Sequence, residues 1–151
     1  MTTDRTALDL ALRSLPHGEP FRFLDRIDEL GPERGRGRWQ VRGDEDFLRG
    51  HFPGRPLVPG VLLVEAAAQL AGAVAHHAVG GDGQGMLVLH EARFKRPVEP
   101  PAEVELSVEL DRSMGSIHRF EFEARVAGTV VALGAVAVSL PGSESSSESG
   151  S

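Results

Sequence analysis

The stretch PGVLLVEAAAQLAGAVAHHA, residues 59–78, decides the fold because it is apolar on nearly every side. At 3.6 residues per turn it predicts a helix of about five turns. Such a helix must be covered on nearly all sides, and an antiparallel sheet curled around it provides that cover. Its length would also suit a membrane span, but it is mostly alanine and carries Glu65 and Gln69, polar side chains that a bilayer disfavours. We therefore expect a buried core helix and no membrane segment.

The segments on either side of this helix are typical of a short helix and six strands. Residues 4–15 predict an amphipathic helix with Asp4 as its N-cap. A strand hairpin is expected before the core helix, within residues 21–30 and 35–41. Four more strands are expected after it, within residues 86–98, 102–112, 116–126 and 129–140. This order predicts an α+β fold of the hotdog type, with an antiparallel sheet wrapped around one long buried helix.

Composition narrows the classes of protein that this chain can represent. The chain has 151 residues, no cysteine and a formal net charge of −6. Disulfides, thiolate nucleophiles and cysteine-based zinc sites are therefore excluded, and no nucleic-acid partner is expected. The first residues lack a secretory pattern, so we expect a cytoplasmic protein. One domain is predicted over residues 1–141, followed by a disordered Ser/Glu/Gly tail at residues 142–151.

Four positions in and before the core helix could carry or support chemistry. Glu65 lies among apolar residues, so it is either paired for structural reasons or kept protonated, and Gln69, one turn later, could orient or merely satisfy it. Gly60 opens the helix, where free N–H groups could stabilise an oxyanion, although Pro59-Gly60 is also an ordinary helix start. His51 lies in a Gly/Pro-rich loop and could be a general base or an exposed histidine. Three other histidines, His76, His77 and His90, do not show the spacing of metal ligands, and no metal is expected.

The block GHFPGRPLVPGVLLVEAAAQ, residues 50–69, resembles the active-site segment of the bacterial 3-hydroxyacyl-[acyl-carrier-protein] dehydratases. The resemblance continues in LPHGEPFRFLDRI upstream and in ARFKRPV downstream. It implies that His51 is the catalytic base and Glu65 the catalytic acid. It also implies that the Gly60 N–H polarises the thioester carbonyl, with Val61 beside it in the substrate site, and that Gln69 supports the acid.

The same resemblance implies a reaction and its partners. The substrate would be a 3-hydroxyacyl thioester on acyl carrier protein, dehydrated to the trans-2-enoyl thioester in fatty-acid or polyketide-type biosynthesis without any cofactor. Family members place the histidine and the acid of one site on different subunits and run a hydrophobic tunnel along the long helix. A homodimer, a larger oligomer built from dimers, or a heterodimer is therefore expected. The alternatives are a non-catalytic shaping subunit of a heteromeric dehydratase, a dehydratase/isomerase, and a thioesterase of the same fold.

A carrier protein is acidic and this chain is net negative, so docking requires a local basic patch. The candidate docking residues are Arg93, Lys95 and Arg96 in ARFKRPV. Strand alternation would place Arg93 and Lys95 on one face and Phe94 in the core. A solvated strand face is the alternative interpretation. A rival basic patch lies on the second strand and consists of Arg34, Arg36 and Arg38.

Overall fold

The computed structural model describes residues 4–15, 21–48, 54, 56–79 and 85–140. His51 and the tail at residues 142–151 lie outside the described residues. The first helix, α1, spans Arg5–Arg13, and the Asp4 carboxylate accepts a hydrogen bond from the Thr6 N–H at 3.1 Å. Asp4 is therefore the N-cap, as predicted, because its side chain satisfies one of the free donors of the first turn.

Six strands of the described residues form one sheet in the order β1-β2-β4-β5-β6-β3, and all neighbouring strands are antiparallel. A short 3-10 helix, Asp46–Leu48, follows the second strand. The strands are β1 (Arg26–Leu30), β2 (Arg34–Val41), β3 (Met86–Phe94), β4 (Ala102–Met114), β5 (Ile117–Val126) and β6 (Thr129–Ser139). The predicted hairpin is present as β1 and β2, although β1 is shorter than residues 21–30 because pairing begins only at Arg26.

The long helix α2, Gly60–Val79, packs on the inner face of the sheet. Its side chains Ala66, Leu70 and Val74 are fully buried and meet inward-facing residues of the strands, such as Val104 and Phe120. The helix is long and apolar enough to cross a membrane, but 61% of its apolar window is buried inside the fold. It is the core helix of an α+β fold of the hotdog type, which confirms the architecture expected from its sequence.

The two edges of the sheet differ in how they are covered. At one edge, β1 has only five residues, and α1 packs against it. At the other edge, β3 has nine residues and is exposed along most of its length. In the part of the chain that the structure describes, its one strand partner is β6. The expectation that Phe94 points into the core is wrong. Its side chain is 53% exposed and lies against Gly60, because the inner face of an edge strand meets only the first turn of α2 at this point.

Candidate active site

Glu65 and Gln69 lie one turn apart on α2 and are joined by a hydrogen bond. The Gln69 Nε2 donates to Oε2 of Glu65 at 3.1 Å and to the Phe21 carbonyl at 2.9 Å, while Oε1 of Gln69 accepts from the Phe23 N–H at 2.9 Å. The carbonyl can only accept and the N–H can only donate, so these two backbone groups fix the orientation of the amide. Gln69 is buried, with 2% exposure, and its amide is held in position by backbone groups of the segment that precedes β1.

Glu65 opens onto a cavity of about 530 Å³ between α1, α2 and the start of β3. One face of α2 lines it, since Glu65, Ala68, Gly72 and His76 follow helical spacing. A Cβ added at Gly72 would meet nothing within 4 Å, so this side of the helix is open space. The volume is within the range of small-molecule sites, which are mostly apolar with a few polar groups.

The first helix supplies the opposite wall of this cavity, which the sequence did not reveal. Its side chains Ala7, Leu10 and Ala11 line the space across from α2, together with Leu15 after the helix. Leu10 is exposed although it belongs to an amphipathic helix whose Leu8 is buried. The amphipathic pattern indicated packing on a larger body, but it gave no sign that part of the packed face borders a cavity.

Gly60 begins α2 and does not line the cavity of Glu65. A Cβ at this position would lie 2.8 Å from the Phe94 ring, so the close approach of that ring favours glycine. The Gly60 N–H belongs to the first helical turn, where no intrahelical acceptor exists and the helix dipole is positive. Val61, next in sequence, is exposed. The structure therefore separates the start of α2 from the acid-bearing cavity of the same chain.

The loop that carries His51 is anchored where it enters α2. The Val58 N–H donates to the Val98 carbonyl at 2.9 Å, and the Leu62 N–H donates to the Pro59 carbonyl at 3.0 Å. These bonds fix the direction in which the chain enters the helix. The position of His51 itself lies outside the described residues, and its relation to Glu65 stays a prediction.

The two basic patches differ in their ionic surroundings. Arg93, Lys95 and Arg96 are exposed, and within the described part of the chain no salt bridge involves them. On β2, by contrast, Arg38 contacts Asp28 at 2.8 Å and Glu103 at 3.7 Å, and its hydrogen bond to Asp28 raises its pKa above the ordinary value. Arg36 on the same strand lies 3.8 Å from Glu29. Arg36 and Arg38 therefore face carboxylates of the same sheet.

Comparison with known proteins identifies the family. Residues 15–135 match the FabA-like domain. The 3-hydroxyacyl-[acyl-carrier-protein] dehydratase FabZ of Acidovorax sp. (strain JS42) is 44% identical over 127 residues, covering 79% of this chain and 86% of that protein. The FabZ of Pectobacterium atrosepticum is 41% identical over 139 residues, covering 86% of this chain and 91% of that protein.

A solved structure supports the fold independently. The dehydratase heterocomplex ApeI:P from Xenorhabdus doucetiae superimposes with a TM-score of 0.74 at 21% sequence identity, covering 87% of this chain and 90% of that chain. At this identity the likeness concerns the fold alone. Together with the matches in sequence, which confirm the resemblance seen in residues 50–69, it shows that this chain belongs to the FabA-like family, among the FabZ-type 3-hydroxyacyl-[acyl-carrier-protein] dehydratases.

Proposed function

We propose that this chain removes water from a 3-hydroxyacyl thioester carried on acyl carrier protein and yields the trans-2-enoyl thioester. Family membership supplies the reaction class, since its FabZ relatives are dehydratases of acyl-carrier-protein substrates. One observation carries the proposal for this chain: Glu65 is a carboxyl on the wall of a largely apolar cavity and is held by Gln69. We assign the reaction to fatty-acid or polyketide-type biosynthesis in the cytoplasm.

The proposed chemistry needs one base and one acid in unlike surroundings. His51 takes the proton from C2 of the substrate, and the electron pair moves toward the thioester carbonyl. The Gly60 N–H, at the positive end of α2, stabilises the oxygen on which negative charge develops. Glu65 then protonates the C3 hydroxyl, the C3–O bond breaks, the C2=C3 bond forms and water leaves. A proton passes from His51 back to Glu65, directly or through water, to restore the starting state.

Gln69 acts in this scheme as a positioning residue for the acid. It donates its hydrogen bond to Oε2 of Glu65, so Oε2 is held as an acceptor. Because Phe21 and Phe23 hold the amide of Gln69, the carboxyl is oriented before substrate binds. An acid that is already oriented loses less entropy in the transition state, which is the physical benefit of burying an amide beside it.

A site built from two copies of the chain accounts for the separation of Gly60 from the cavity of Glu65. The start of α2 carries the oxyanion donor beside two exposed apolar side chains, Val61 and Phe94. We infer that a partner subunit covers this apolar surface and brings its own acid-bearing cavity to Gly60 and His51. Each active site then combines the base and the oxyanion donor of one protomer with the Glu65 of the other.

Strand β3 is the proposed contact between the two protomers. It is the long edge of the sheet, contains no proline and exposes Met86, Val88, Leu89 and Phe94. Natural proteins protect such apolar edges, since unpaired backbone groups and exposed side chains there drive association. Antiparallel pairing of β3 with a second β3 satisfies both edges through a two-fold axis and joins the two sheets.

The proposed docking patch for the carrier protein consists of Arg93, Lys95 and Arg96. These exposed cations have no salt bridge within the described residues. Arg93 lies near the end of β3, and Lys95 and Arg96 follow Phe94, whose ring lies against Gly60. In the rival patch on β2, Arg36 and Arg38 face Asp28, Glu29 and Glu103, and these carboxylates reduce the attraction of the two arginines for an acidic partner. The phosphopantetheine arm of a carrier protein docked at Arg93 would therefore have only a short distance to span to the start of α2.

Mass spectrometry of the purified protein with 3-hydroxyacyl carrier protein tests the proposed reaction. We expect the acyl group to lose one water, and the same enzyme to hydrate the trans-2-enoyl carrier protein in reverse. Release of free acid would instead indicate a thioesterase, and a cis-3-enoyl product would indicate an isomerase. If the enzyme is folded and the carrier protein bears the correct acyl group, failure to convert either substrate would overturn the proposal. The chain would then be interpreted as a non-catalytic subunit.

A further inference from the structure

Gly72 lies in the interior of α2, where glycine is an unfavourable residue. Compared with alanine, glycine weakens a helix interior because its backbone loses more conformational freedom on folding. A Cβ built at Gly72 would meet nothing within 4 Å. No close neighbour in the described part of the chain therefore explains why this position lacks a side chain.

The other glycines of the described helices and strands differ from Gly72 in this respect. At Gly35, for example, a Cβ would lie 2.7 Å from the side chain of Val74, so the packing of α2 on β2 requires glycine there. Every other glycine in these elements has a neighbouring atom under 3.0 Å from the position of a Cβ, namely Gly37, Gly60 and Gly134. Gly72 is thus the one glycine of the described helices and strands for which packing within the chain gives no reason.

The open space at Gly72 belongs to the cavity onto which Glu65 opens. The part of α2 that lines this cavity begins at Glu65 and extends to His77. The opposite wall carries Leu10 of α1, whose side chain is 54% exposed. A chain that enters this cavity beside Glu65 therefore runs toward the C-terminal end of α2 and passes over Gly72.

The distance between Glu65 and Gly72 sets the length of acyl chain that reaches the glycine. The two residues are two helical turns apart, which at about 1.5 Å per residue is roughly 10 Å along the helix axis. An extended chain of single bonds advances about 1.2 Å per bond, as an extended polypeptide backbone does. With C3 of the substrate at Glu65, the carbon level with Gly72 is therefore about eight bonds further on, near C11.

We propose that Gly72 is a specificity-determining residue, and that its missing side chain lets the cavity take 3-hydroxyacyl chains of about 12 carbons or more. Each methylene buried between α1 and α2 should raise affinity about fourfold, so long chains gain over short ones. A larger side chain at position 72 would close the cavity at this depth and leave Glu65 in place. The inference deepens the proposed function, on which it rests for the reaction and for the position of C3.

The variant Gly72→Leu tests this proposal with substrates of different length. The 3-hydroxyacyl pantetheine thioesters from butanoyl to tetradecanoyl are assayed, and kcat and KM are recorded for each. In the wild type we expect KM to fall as the chain lengthens. In Gly72→Leu both constants should be unchanged for chains of up to about eight carbons, whereas KM should rise about tenfold or more at about twelve carbons. Gly72→Ala adds a single methyl group and should give a smaller change in the same direction, also if the larger side chain prevents folding.

A matched variant and a binding measurement make the outcome specific. Ala78→Leu introduces the same side chain at an exposed position of α2 that does not line the cavity, and should keep the wild-type dependence on chain length. Dissociation constants of saturated acyl thioesters, which lack a C3 hydroxyl and cannot be dehydrated, measure that dependence without turnover. An unchanged dependence in both position-72 variants would overturn the inference. Equal loss at every length in Gly72→Leu would also overturn it, because something other than the acyl chain would then occupy the space. Failure of dehydration alone, with length-dependent binding intact, would count against the proposed function only.

Discussion

Gln69 donates a hydrogen bond from Nε2 to Oε2 of Glu65 at 3.1 Å, one helical turn along α2. The other polar contacts of the Gln69 amide are to backbone groups of Phe21 and Phe23. The carboxyl is therefore connected, through a single side chain, to the segment that leads into β1. A substitution in that segment would therefore change the orientation of the proposed acid while leaving the carboxyl group itself in place.

Replacing Gln69 by leucine should lower kcat more than it raises KM. The variant leaves Glu65 in place but removes the donor that orients it, so the acid must find its productive geometry during the reaction. The Phe23 N–H and the Phe21 carbonyl also lose a partner, at about 1–3 kcal/mol of unfolding free energy for each group that stays buried. Steady-state kinetics, a pH–rate profile and urea unfolding separate the two effects.

Gln69→Glu is the informative second variant, because a protonated Glu at this position can still accept from Phe23 and donate to Glu65. We expect partial recovery of kcat at low pH in this variant and none in Gln69→Leu. A Gln69→Leu enzyme with unchanged kcat at all pH values would contradict the positioning role.

Subunit mixing tests whether an active site is shared between two protomers. His51→Ala and Glu65→Gln should each lose about 10²–10⁴-fold in rate, the usual contribution of a general acid or base. After exchange of subunits, a mixed dimer contains one site with both native residues and should recover up to half of the wild-type activity per dimer. Native mass spectrometry verifies the exchange. Verified mixed dimers without recovered activity would mean that each site lies within one chain.

A charge on the exposed edge strand should break the proposed dimer. Leu89 is 60% exposed on β3, and Leu89→Lys would place a desolvated ammonium in the proposed strand pairing. Sedimentation should show a monomer, and activity should fall with the loss of the shared site. Met114→Lys is the matched control, since Met114 is 65% exposed on β4 and lies away from this edge. A dimer that persists in Leu89→Lys would exclude β3 as the contact.

Glycine positions on α2 and β6 should respond in opposite directions to alanine. Gly72→Ala should raise the free energy of unfolding by about 0.5–1 kcal/mol, because glycine is a poor helix former and the new Cβ meets open space. Gly134→Ala should destabilise the fold, since a Cβ there would overlap the Glu91 carbonyl oxygen and lie 2.8 Å from Cα of Ala92. Urea unfolding measures both. A destabilised Gly72→Ala would show that the cavity is narrower there than the structure has it.

The sequence was sufficient to predict the helices and strands of the fold, but not which neighbours they pack against or which of their side chains are exposed. The apolar run of α2 and the alternation of β2 follow from local periodicity, and both were predicted. The exposure of Phe94 and Leu89 could not be predicted, because an exposed apolar edge strand has the same composition as an interior strand. The placement of β3 beside β6 is likewise a long-range choice that residues 86–94 do not encode locally.

In the candidate site, too, local spacing predicts some contacts, whereas others depend on tertiary packing. Helical spacing was sufficient to place Gln69 within reach of Glu65, since residues four apart share a face. It could not show that Gln69 also binds the backbone of Phe21 and Phe23, which approach from a segment more than 40 residues away in sequence. The cavity wall supplied by α1 depends on tertiary packing in the same way. Residue types therefore indicated the chemistry, whereas the support and the shape of the site required the structure.

Reversing two charges of the proposed docking patch, Arg93 and Lys95, should weaken the use of carrier-linked substrate alone. In the double variant Arg93→Glu, Lys95→Glu, the apparent KM for 3-hydroxyacyl carrier protein should rise about tenfold, mainly through slower association, because exposed charges steer the encounter. Turnover of a small pantetheine thioester should not change, since that substrate lacks the acidic protein. The backbone at this point is held by the Lys95 N–H, which donates to the Val131 carbonyl at 2.7 Å and is untouched by the substitution.

The matched control is Arg34→Glu, Arg36→Glu on β2, which changes the net charge by the same amount at the rival patch. Sedimentation of both variants checks that they keep the oligomeric state of the wild type, so that an effect on KM is not confused with loss of the proposed β3 contact. The difference between the variants should shrink at high salt, because screening removes the contribution of exposed charges. An equal rise in KM for both double variants would assign the effect to net charge rather than to a patch. A larger rise for the β2 variant would move the docking site to that strand, and equal loss on the carrier-linked and small substrates would point to damage at the start of α2.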